Sequence, residues 1–381
     1  QVIEENIKAF QDVYDRHNIQ GRIYVSTKPN KSAAALKQAA LSNVGVDVSS
    51  QNALKFALGC GFDAGRMEAT GPKNREYLTL SIQHGITINA DNFEELDQIR
   101  DIRKSLNKKE KTPVFIRLAG FQSNRLKFTP HDGTFGIHVN ETDRLFEYLD
   151  QCQEELDFQG FAFHFNSKVI EQKIVALENI LGKTLEAIKR GFSPRGVNIG
   201  GGFDISYAQN PEDWSHYVNT LKESLRNFSE SLTWNNGGLG FRNEGGLIKG
   251  APAFLDHGPN IWGAQELDQL LSLKLPELDN MTMADFLADC LLELYIEPGR
   301  SMFDQLGITV GRVNHVKRSM HGETLVNLDM NRSSMNSAQQ KLLTDPVIIS
   351  KDPEKRAMAE NGVYYTGNLC LSYDMITYNK T

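Results

Sequence analysis

The sequence predicts an α/β protein: a (β/α)8 TIM-like barrel followed by a β-rich C-terminal domain. Three observations lead there. Short β-branched or aromatic runs alternate with helix-period stretches through about the first 300 residues. The strand runs are almost continuously apolar, as they are in parallel sheets covered by helices. Eight such units imply closure into a barrel rather than an open sheet, and beyond Arg300 the long helical patterns give way to strand-like pieces.

In chain order, "RIYVST" precedes a helical pattern over 31–41, "VGVDVSS" one over 51–59, and "RMEATG" one over 74–84. "ITINAD" precedes 92–106, "PVFIRLAG" starts at 113, and "FQGFAFHF" precedes 168–190; "GVNIGGGF" and "LYIEPGR" complete the eight. Residues 233–262, rich in Gly, Asn and Pro, form the core of an insertion near 233–282 between the seventh and eighth strands and are expected as a long excursion on the barrel rim. The expected domains are thus 1–300 and 301–381. In the latter, "GITVGRVNHVKRS", "TLVNLDM", "DPVIIS" and "GVYYTGNLCLSYDMI" read as strands.

Composition narrows the function. The 41 basic and 48 acidic residues leave a formal charge of −7, and no block of like charge marks a nucleic-acid footprint. Cys60, Cys152, Cys290 and Cys370 are scattered without a CxxC pair, which fits reduced thiols better than a disulfide framework. No uninterrupted apolar run of about eighteen residues suggests a membrane span, and residues 1–20 carry Glu4, Glu5, Lys8 and Asp12 in place of an apolar signal core. A soluble, cytoplasmic protein is expected, with no metal site.

The chemistry collects at strand ends. Barrel enzymes build their sites at the C-terminal ends of the strands, where the loops converge on one mouth. Lys28 follows the first strand, His164 the sixth, Gly200, Gly201 and Gly202 the seventh, and Glu297 to Arg300 the eighth. Each has an ordinary reading taken alone: a solvated lysine, a satisfied core histidine, a tight turn, an exposed acid–base pair. Together they describe something else. Three glycines entering a helix leave backbone N–H groups open to a phosphate. A strand-end carboxylate can hold a protonated ring nitrogen, an imidazole can stack on a flat ring, and a lysine can form a Schiff base with an aldehyde. That set is the requirement for pyridoxal 5'-phosphate. Two nucleotide motifs fail: Ile205 occupies the last glycine position of G-x-G-x-x-G, and Leu177 stands where a P-loop ending in "GKT" needs its first glycine.

These segments resemble the fold-type III pyridoxal-phosphate decarboxylases that act on ornithine, diaminopimelate, arginine and related amino acids, a family whose barrel is shared with alanine racemases. "YVSTKPN" is similar to the family's lysine strand, "VDVSS" to its D-V-A-S segment, "FIRL" to its arginine strand, "TFGI" to its K-F-G-I and "HFNS" to its H-x-G-S. "NIGGGF" and "EPGR" match, and "GNLCLSYD" resembles its C-terminal cysteine segment, so the resemblance spans Tyr24 to Asp374 in family order. It implies Lys28 as the Schiff-base lysine, Glu297 as partner of the pyridine nitrogen, and His164 stacked on the ring. Ser167, Gly201, Gly202 and Arg300 would hold the phosphate, with Gly200 and Gly299 also at the cofactor and Asp47 and Arg117 nearby. It further implies a head-to-tail homodimer in which Cys370 of one subunit protonates the substrate carbon in the other, with Asp374 lining the substrate's distal end. By itself, Cys370 reads as a small buried hydrophobe.

Departures from the pattern point away from a diamino acid. Leu371 replaces the acidic residue after the cysteine, Asn166 replaces a glycine, and Lys168 adds a charge beside the phosphate loop. The insertion, with Trp234, Arg242, Lys249, His257 and Trp262, either roofs the mouth or is a rim loop without a role. Together with "GNLCL" it resembles the Y4yA-type branch of the family, a label that brings no substrate with it. The resemblance also implies a C-terminal domain incomplete beyond Thr381. The expected function is decarboxylation of an unusual amino acid, larger or carboxylated, as in siderophore or other secondary metabolism. Amino-acid racemisation on the same fold and an inactive, partner-binding homologue are the alternatives.

Overall fold

The computed structural model describes residues 2–123, 134–164, 169–208, 210–227, 232–254, 258–334, 346–351 and 362–381. They fall into two compact units, Gln1–Ile205 with Ile261–Leu306, and Ser206–Asn260 with Gly307–Thr381. The chain therefore does not change character at one point near residue 300. Residues 206–260 leave the first unit to join the C-terminal one, and 261–306 return.

The first unit is a closed parallel barrel. Its strands are β1 (Gly21–Ser26), β2 (Gly45–Val48), β3 (Met67–Ala69), β4 (Thr87–Ala90), β5 (Thr112–Ala119), β6 (Leu156–Ala162), β7 (Gly196–Asn198) and β8 (Glu293–Ile296). Each pairs with its sequence neighbours, and β8 closes the ring on β1 through Gly21↔Leu294 and Ile23↔Ile296. Helices Ala33–Ala40, Gln51–Gly59, Arg75–His84, Phe93–Ser105 and Ile170–Lys189 lie where the periodicity places them. Four start on the same device: the side chains of Ser32, Ser50, Asn74 and Asn92 each accept a backbone N–H three residues on. Such a cap satisfies an orphan donor of the first turn and contributes about 1 kcal/mol.

Strand alternation divides the side chains into two sets. Ile23, Val25, Val46, Val48, Met67, Ile88, Val114, Ile116, Leu294 and Ile296 join the helices in one large core. The other set points into the lumen. Its lower part is an aromatic plug in which Tyr24 stacks on Tyr295 at 6.0 Å and Phe115 meets Tyr295 edge-on at 4.9 Å. Above the plug the inward residues become polar: Ser26, Asp47, Glu68, Asn89, Asn198 and Glu297, all buried. The plug thus makes an apolar floor under a polar tier.

Two expectations fail here. No helix follows the three glycines: Phe203 to Tyr207 are irregular, and the next helix begins at Pro211 in the other unit. Pro346–Ser350, read as a strand, is irregular too, because Pro346 lacks a ladder donor and no strand among the described residues pairs with the apolar run after it.

The second unit holds a three-stranded sheet, Val313–Arg318, Thr324–Leu328 and Val363–Thr366, antiparallel then parallel. A separate hairpin pairs Phe241–Glu244 with Leu247–Gly250 across Gly245-Gly246, both at positive φ as a tight turn requires. Trp234 packs edge-on against the fully buried Tyr364 at 5.3 Å, and its N–H donates to the Tyr378 carbonyl. These contacts explain why the segment before residue 260 belongs with the C-terminal strands. Among the described residues no helix is long and apolar enough to cross a membrane.

Phe115→Ala should lower barrel stability by about 3–5 kcal/mol, the usual cost of emptying a buried aromatic site. Urea unfolding followed by near-UV circular dichroism checks this, and a loss below about 1 kcal/mol would show that the plug repacks.

Candidate active site

Lys28 lies two residues beyond β1, and its Nζ donates to Asp47 Oδ2 at 3.2 Å. The Lys28 side chain is 51% exposed while that of Asp47 is 0% exposed, so the amine stays reachable from the mouth and its counter-charge does not. A buried carboxylate needs polar partners. Ser26 Oγ donates to Asp47 Oδ2 at 2.9 Å, Thr70 Oγ1 donates to its other oxygen, and Thr27 donates to its carbonyl through both N–H and hydroxyl. Burial pulls the Lys28 ammonium down, but the charges of Asp47 and Glu297 outweigh it and leave the amine above its ordinary value.

Glu297 follows β8 and is buried. Asn198 Nδ2 donates to its Oε1 at 2.9 Å, and to Glu68 Oε1 and Oε2 at 2.9 and 3.0 Å. Asn89 Nδ2 donates to Glu68 Oε1 at 3.2 Å. Burial, aided by the negative charge of Asp47 and opposed by Lys28, Asn198 and Arg117, pushes Glu297 up to about 7. A cation placed against it would bring it back down.

His164 follows β6, half-exposed, with Nδ1 3.9 Å from Glu297 Oε2 and accepting the Gly201 N–H at 3.2 Å. Burial and the neighbouring Lys28 and Arg117 charges lower it to about 4. It is a neutral, planar ring fixed at the mouth. The glycine turn is equally constrained. Gly200 sits at φ +68°, where a Cβ would lie 2.7 Å from His164 Nδ1 and from the Phe163 carbonyl; one at Gly201 would lie 2.5 Å from the Glu297 carbonyl. Glu297 N–H closes the turn by donating to the Gly200 carbonyl at 2.8 Å. Gly202, also at positive φ, leads to Asp204, which accepts from Arg300 Nη2 at 3.1 Å. Gly299 packs on the Pro29 ring, where a Cβ would come within 3.2 Å.

Arg117, on β5, lies 5.0 Å from the Phe135 ring centroid, and burial holds its guanidinium below the ordinary value. The barrel unit thus brings together Lys28, Asp47, Arg117, His164, Gly200 to Gly202, Glu297, Gly299 and Arg300. Ser167, with Asn166 and Lys168, lies outside the described residues, as does His257.

Cys370, Leu371 and Asp374 belong to the second unit. Cys370 is a free, exposed thiol rather than a buried hydrophobe, and Leu371 is 45% exposed. Asp374, which the resemblance places at the substrate's distal end in a second subunit, is buried within its own unit. Its oxygens accept the Arg332 N–H at 2.9 Å and the Leu369 N–H at 2.8 Å, so in this chain the carboxylate organises the cysteine loop. Lys249, singled out in the insertion, pairs with Glu244 at 2.7 Å across the hairpin, an exposed pair of little energetic weight.

Sequence reasoning missed Glu68, Asn89 and Asn198. A signal was there: "VDV", "MEA", "INA" and "VNI" each set one polar residue between two apolar ones, on β2, β3, β4 and β7. Single inward polar groups in buried strands line a lumen that does chemistry or holds a ligand.

The donor set fits pyridoxal phosphate: a reachable amine, a buried carboxylate that favours a cation, a neutral planar ring, and a glycine turn a Cβ would fill with an arginine nearby. Fold and side chains together define a barrel whose mouth gathers the groups that an aldehyde cofactor needs. Residues 1–236 match the family model described as pyridoxal-dependent decarboxylase, pyridoxal binding domain, and the chain belongs to this family. It is 27% identical to the uncharacterized protein y4yA of Sinorhizobium fredii, over 98% of this chain and 76% of that protein. It is 26% identical to diaminopimelate decarboxylase of Bacillus subtilis, over 59% of this chain and 54% of the relative. The fold matches that of diaminopimelate decarboxylase from M. jannaschii, solved with L-lysine, at TM-score 0.67 and 18% identity, covering 99% of this chain and 76% of that one. It likewise matches the arginine decarboxylase of Paramecium bursaria Chlorella virus, solved with agmatine, at 0.63 and 17%, covering 99% and 83%.

His164 binds fewer protons in the folded than in the unfolded chain between pH about 4 and 6.5, so folding stability falls as pH drops through that window. His164→Gln should flatten this part of the stability profile of the cofactor-free protein and leave stability above pH about 7 unaltered. Melting temperatures between pH 4.5 and 8 check it; an unchanged acid slope would show that His164 titrates normally.

Proposed function

We propose that the protein decarboxylates an α-amino acid with pyridoxal phosphate attached to Lys28. What carries the reading is the placement of a reachable Lys28 amine and a buried Glu297 carboxylate around one barrel mouth, each held by its own hydrogen-bond network. When bound, pyridoxal phosphate supplies an electron sink for the carbon that loses carbon dioxide. Lys28 Nζ is the nucleophile and must shed a proton to react, and Asp47 fixes its direction. Ionised Glu297 would hold a proton on the ring nitrogen by charge, in a tier floored by the aromatic plug. His164, neutral, lies against the ring face, while Gly200 to Gly202 and Arg300 take the phosphate, with Arg300 released from Asp204. Ser167 joins this set on the family motif.

The proton returned to the α-carbon comes from Cys370 Sγ of a second copy in a head-to-tail homodimer, and Asp374 supports that thiol by fixing its loop. Leu371 offers an apolar, half-exposed surface beside it. A substrate with a free distal ammonium would find an apolar residue at the position after the cysteine, which favours a larger or carboxylated amino acid over a simple diamino acid.

The first test is the absorption spectrum of the purified protein with a panel of amino acids, with carbon dioxide release followed in parallel. A borohydride-sensitive chromophore that shifts with one substrate and releases carbon dioxide is the expected result; a shift without carbon dioxide points to racemisation, and no chromophore after adding pyridoxal phosphate overturns the reading. Lys28→Ala should abolish the borohydride-stable adduct, and its retention would exclude Lys28 as the attachment point. Cys370→Ala should keep the chromophore and lower kcat about 10²-fold, the lower range for loss of a positioned acid. Mixing the two variants should restore part of the activity through hybrid dimers, and no recovery under demonstrated subunit exchange counts against a shared site.

A further inference from the structure

Three carboxyl groups, Asp47, Glu68 and Glu297, are buried in one tier of the lumen. Two of them face cations: Asp47 pairs with Lys28, and Glu297 feels both Lys28 and Arg117. Among the described residues no ion pair involves Glu68. Its neighbours are neutral or acidic: the amides of Asn198 and Asn89, the phenols of Tyr24 and Tyr77, and the two other carboxyl groups. An isolated buried carboxylate neutralises itself by keeping a proton. Burial and the charges of Glu297 and Asp47 act in that direction on Glu68 and hold it well above the usual carboxylate range, against the hydrogen bonds from Asn198 and Asn89.

As placed, both amides donate to Glu68, Asn198 Nδ2 to Oε1 and Oε2 and Asn89 Nδ2 to Oε1, so a proton on the acid requires one amide to turn and accept it. Asn198 Oδ1 accepts the Gly200 N–H at 2.8 Å, which fixes that amide with its nitrogen toward the acids. Glu68 Oε2, 3.0 Å from Asn198 Nδ2, serves as the carbonyl acceptor. Glu68 Oε1 faces Asn89, whose own Oδ1 is buried without a partner. With its amide turned end for end, Asn89 would accept a proton carried on Oε1.

We propose that Glu68 is a positioning residue kept as the neutral carboxylic acid, which anchors the Asn198 amide and leaves Glu297 as the ionised member of the pair facing the cofactor's ring nitrogen. Rim charges then balance, Asp47 and Glu297 against Lys28 and Arg117, so an incoming substrate carboxylate meets no excess negative charge. The inference about Glu297 rests on the pyridoxal-phosphate reading above; the protonation of Glu68 does not.

The test has a cofactor-free arm and a loaded arm. Infrared spectra of the cofactor-free protein at about pH 8.5, where a group titrating near 7 is ionised, should contain a buried carboxylic-acid band that Glu68→Gln removes. No band, or one that survives Glu68→Gln, overturns the proposal whatever the protein binds. In the loaded protein Glu68→Gln, isosteric and neutral, should hold kcat within about threefold and leave the pH midpoint of the chromophore in place. Glu68→Leu, which gives Asn198 no acceptor, should retain cofactor binding but lower kcat about tenfold or more and move that midpoint, the scale on which outer partners of a working group act. Glu68→Gln matching Glu68→Leu in both readouts would show that an ionised carboxylate is needed at this position and would sink the proposal. Failure of every form to take up pyridoxal phosphate would overturn the proposed function and leave the infrared result to decide Glu68.

Discussion

The barrel mouth depends on one constraint, the burial of three carboxyl groups together in the lumen. Asp47 and Glu68 are wholly enclosed and Glu297 nearly so. Removing a carboxylate from water costs several kcal/mol unless hydrogen bonds and opposite charge compensate. The compensation shapes everything near it: Ser26, Thr27 and Thr70 gather on Asp47, Asn198 spans two acids, and Lys28 is drawn toward Asp47 instead of out into solvent. Electrostatic demand, more than side-chain packing, arranges this tier.

The same enclosure makes the tier chemically useful. A charge held where reorganisation is small acts strongly on whatever is placed beside it. The aromatic plug of Tyr24, Phe115 and Tyr295 closes the lumen from below, and the glycine turn lets backbone approach His164 and Glu297 more closely than a side chain would permit. His164 is held neutral and Glu297 hovers near neutrality, so small changes in nearby charge decide what each does. Groups poised in this way cluster where proteins do chemistry.

The cysteine loop of the second unit has its own version of this logic. Asp374 is buried and spends its oxygens on backbone N–H groups, which leaves Cys370 displayed at the surface with Leu371 beside it. Asp374 carries out a structural task so that a neighbour stays exposed. Leu371, half-exposed, gives this loop an apolar edge.

Much of the barrel was legible in order along the chain, because apolar strand runs and helix periods are local properties. The early helices fall within about two residues of where their periodicity and caps place them, and Lys28, His164, Gly200 to Gly202 and Glu297 were singled out because strand ends in a barrel converge. The glycine loop was partly misread: its close approach to His164 and Glu297 was not foreseen, and the helix expected after it is absent, since nothing in "FDISYAQNP" starts a helix before Pro211. The hydrogen bonds that Asp374 makes within its own loop had no signature in the sequence. Glu68 and Asn198 come from strands four apart in barrel order, and residues 206–260 join strands a hundred positions away. The sequence by itself determined the repeating strand–helix pattern and the side chains at each strand end, because neighbours along the chain dictate them. Only the tertiary structure decided which inward groups meet in one tier, which acid has no ion pair among the described residues, and which segments pack as one unit, because those depend on closure of the barrel and on contacts that no local pattern encodes.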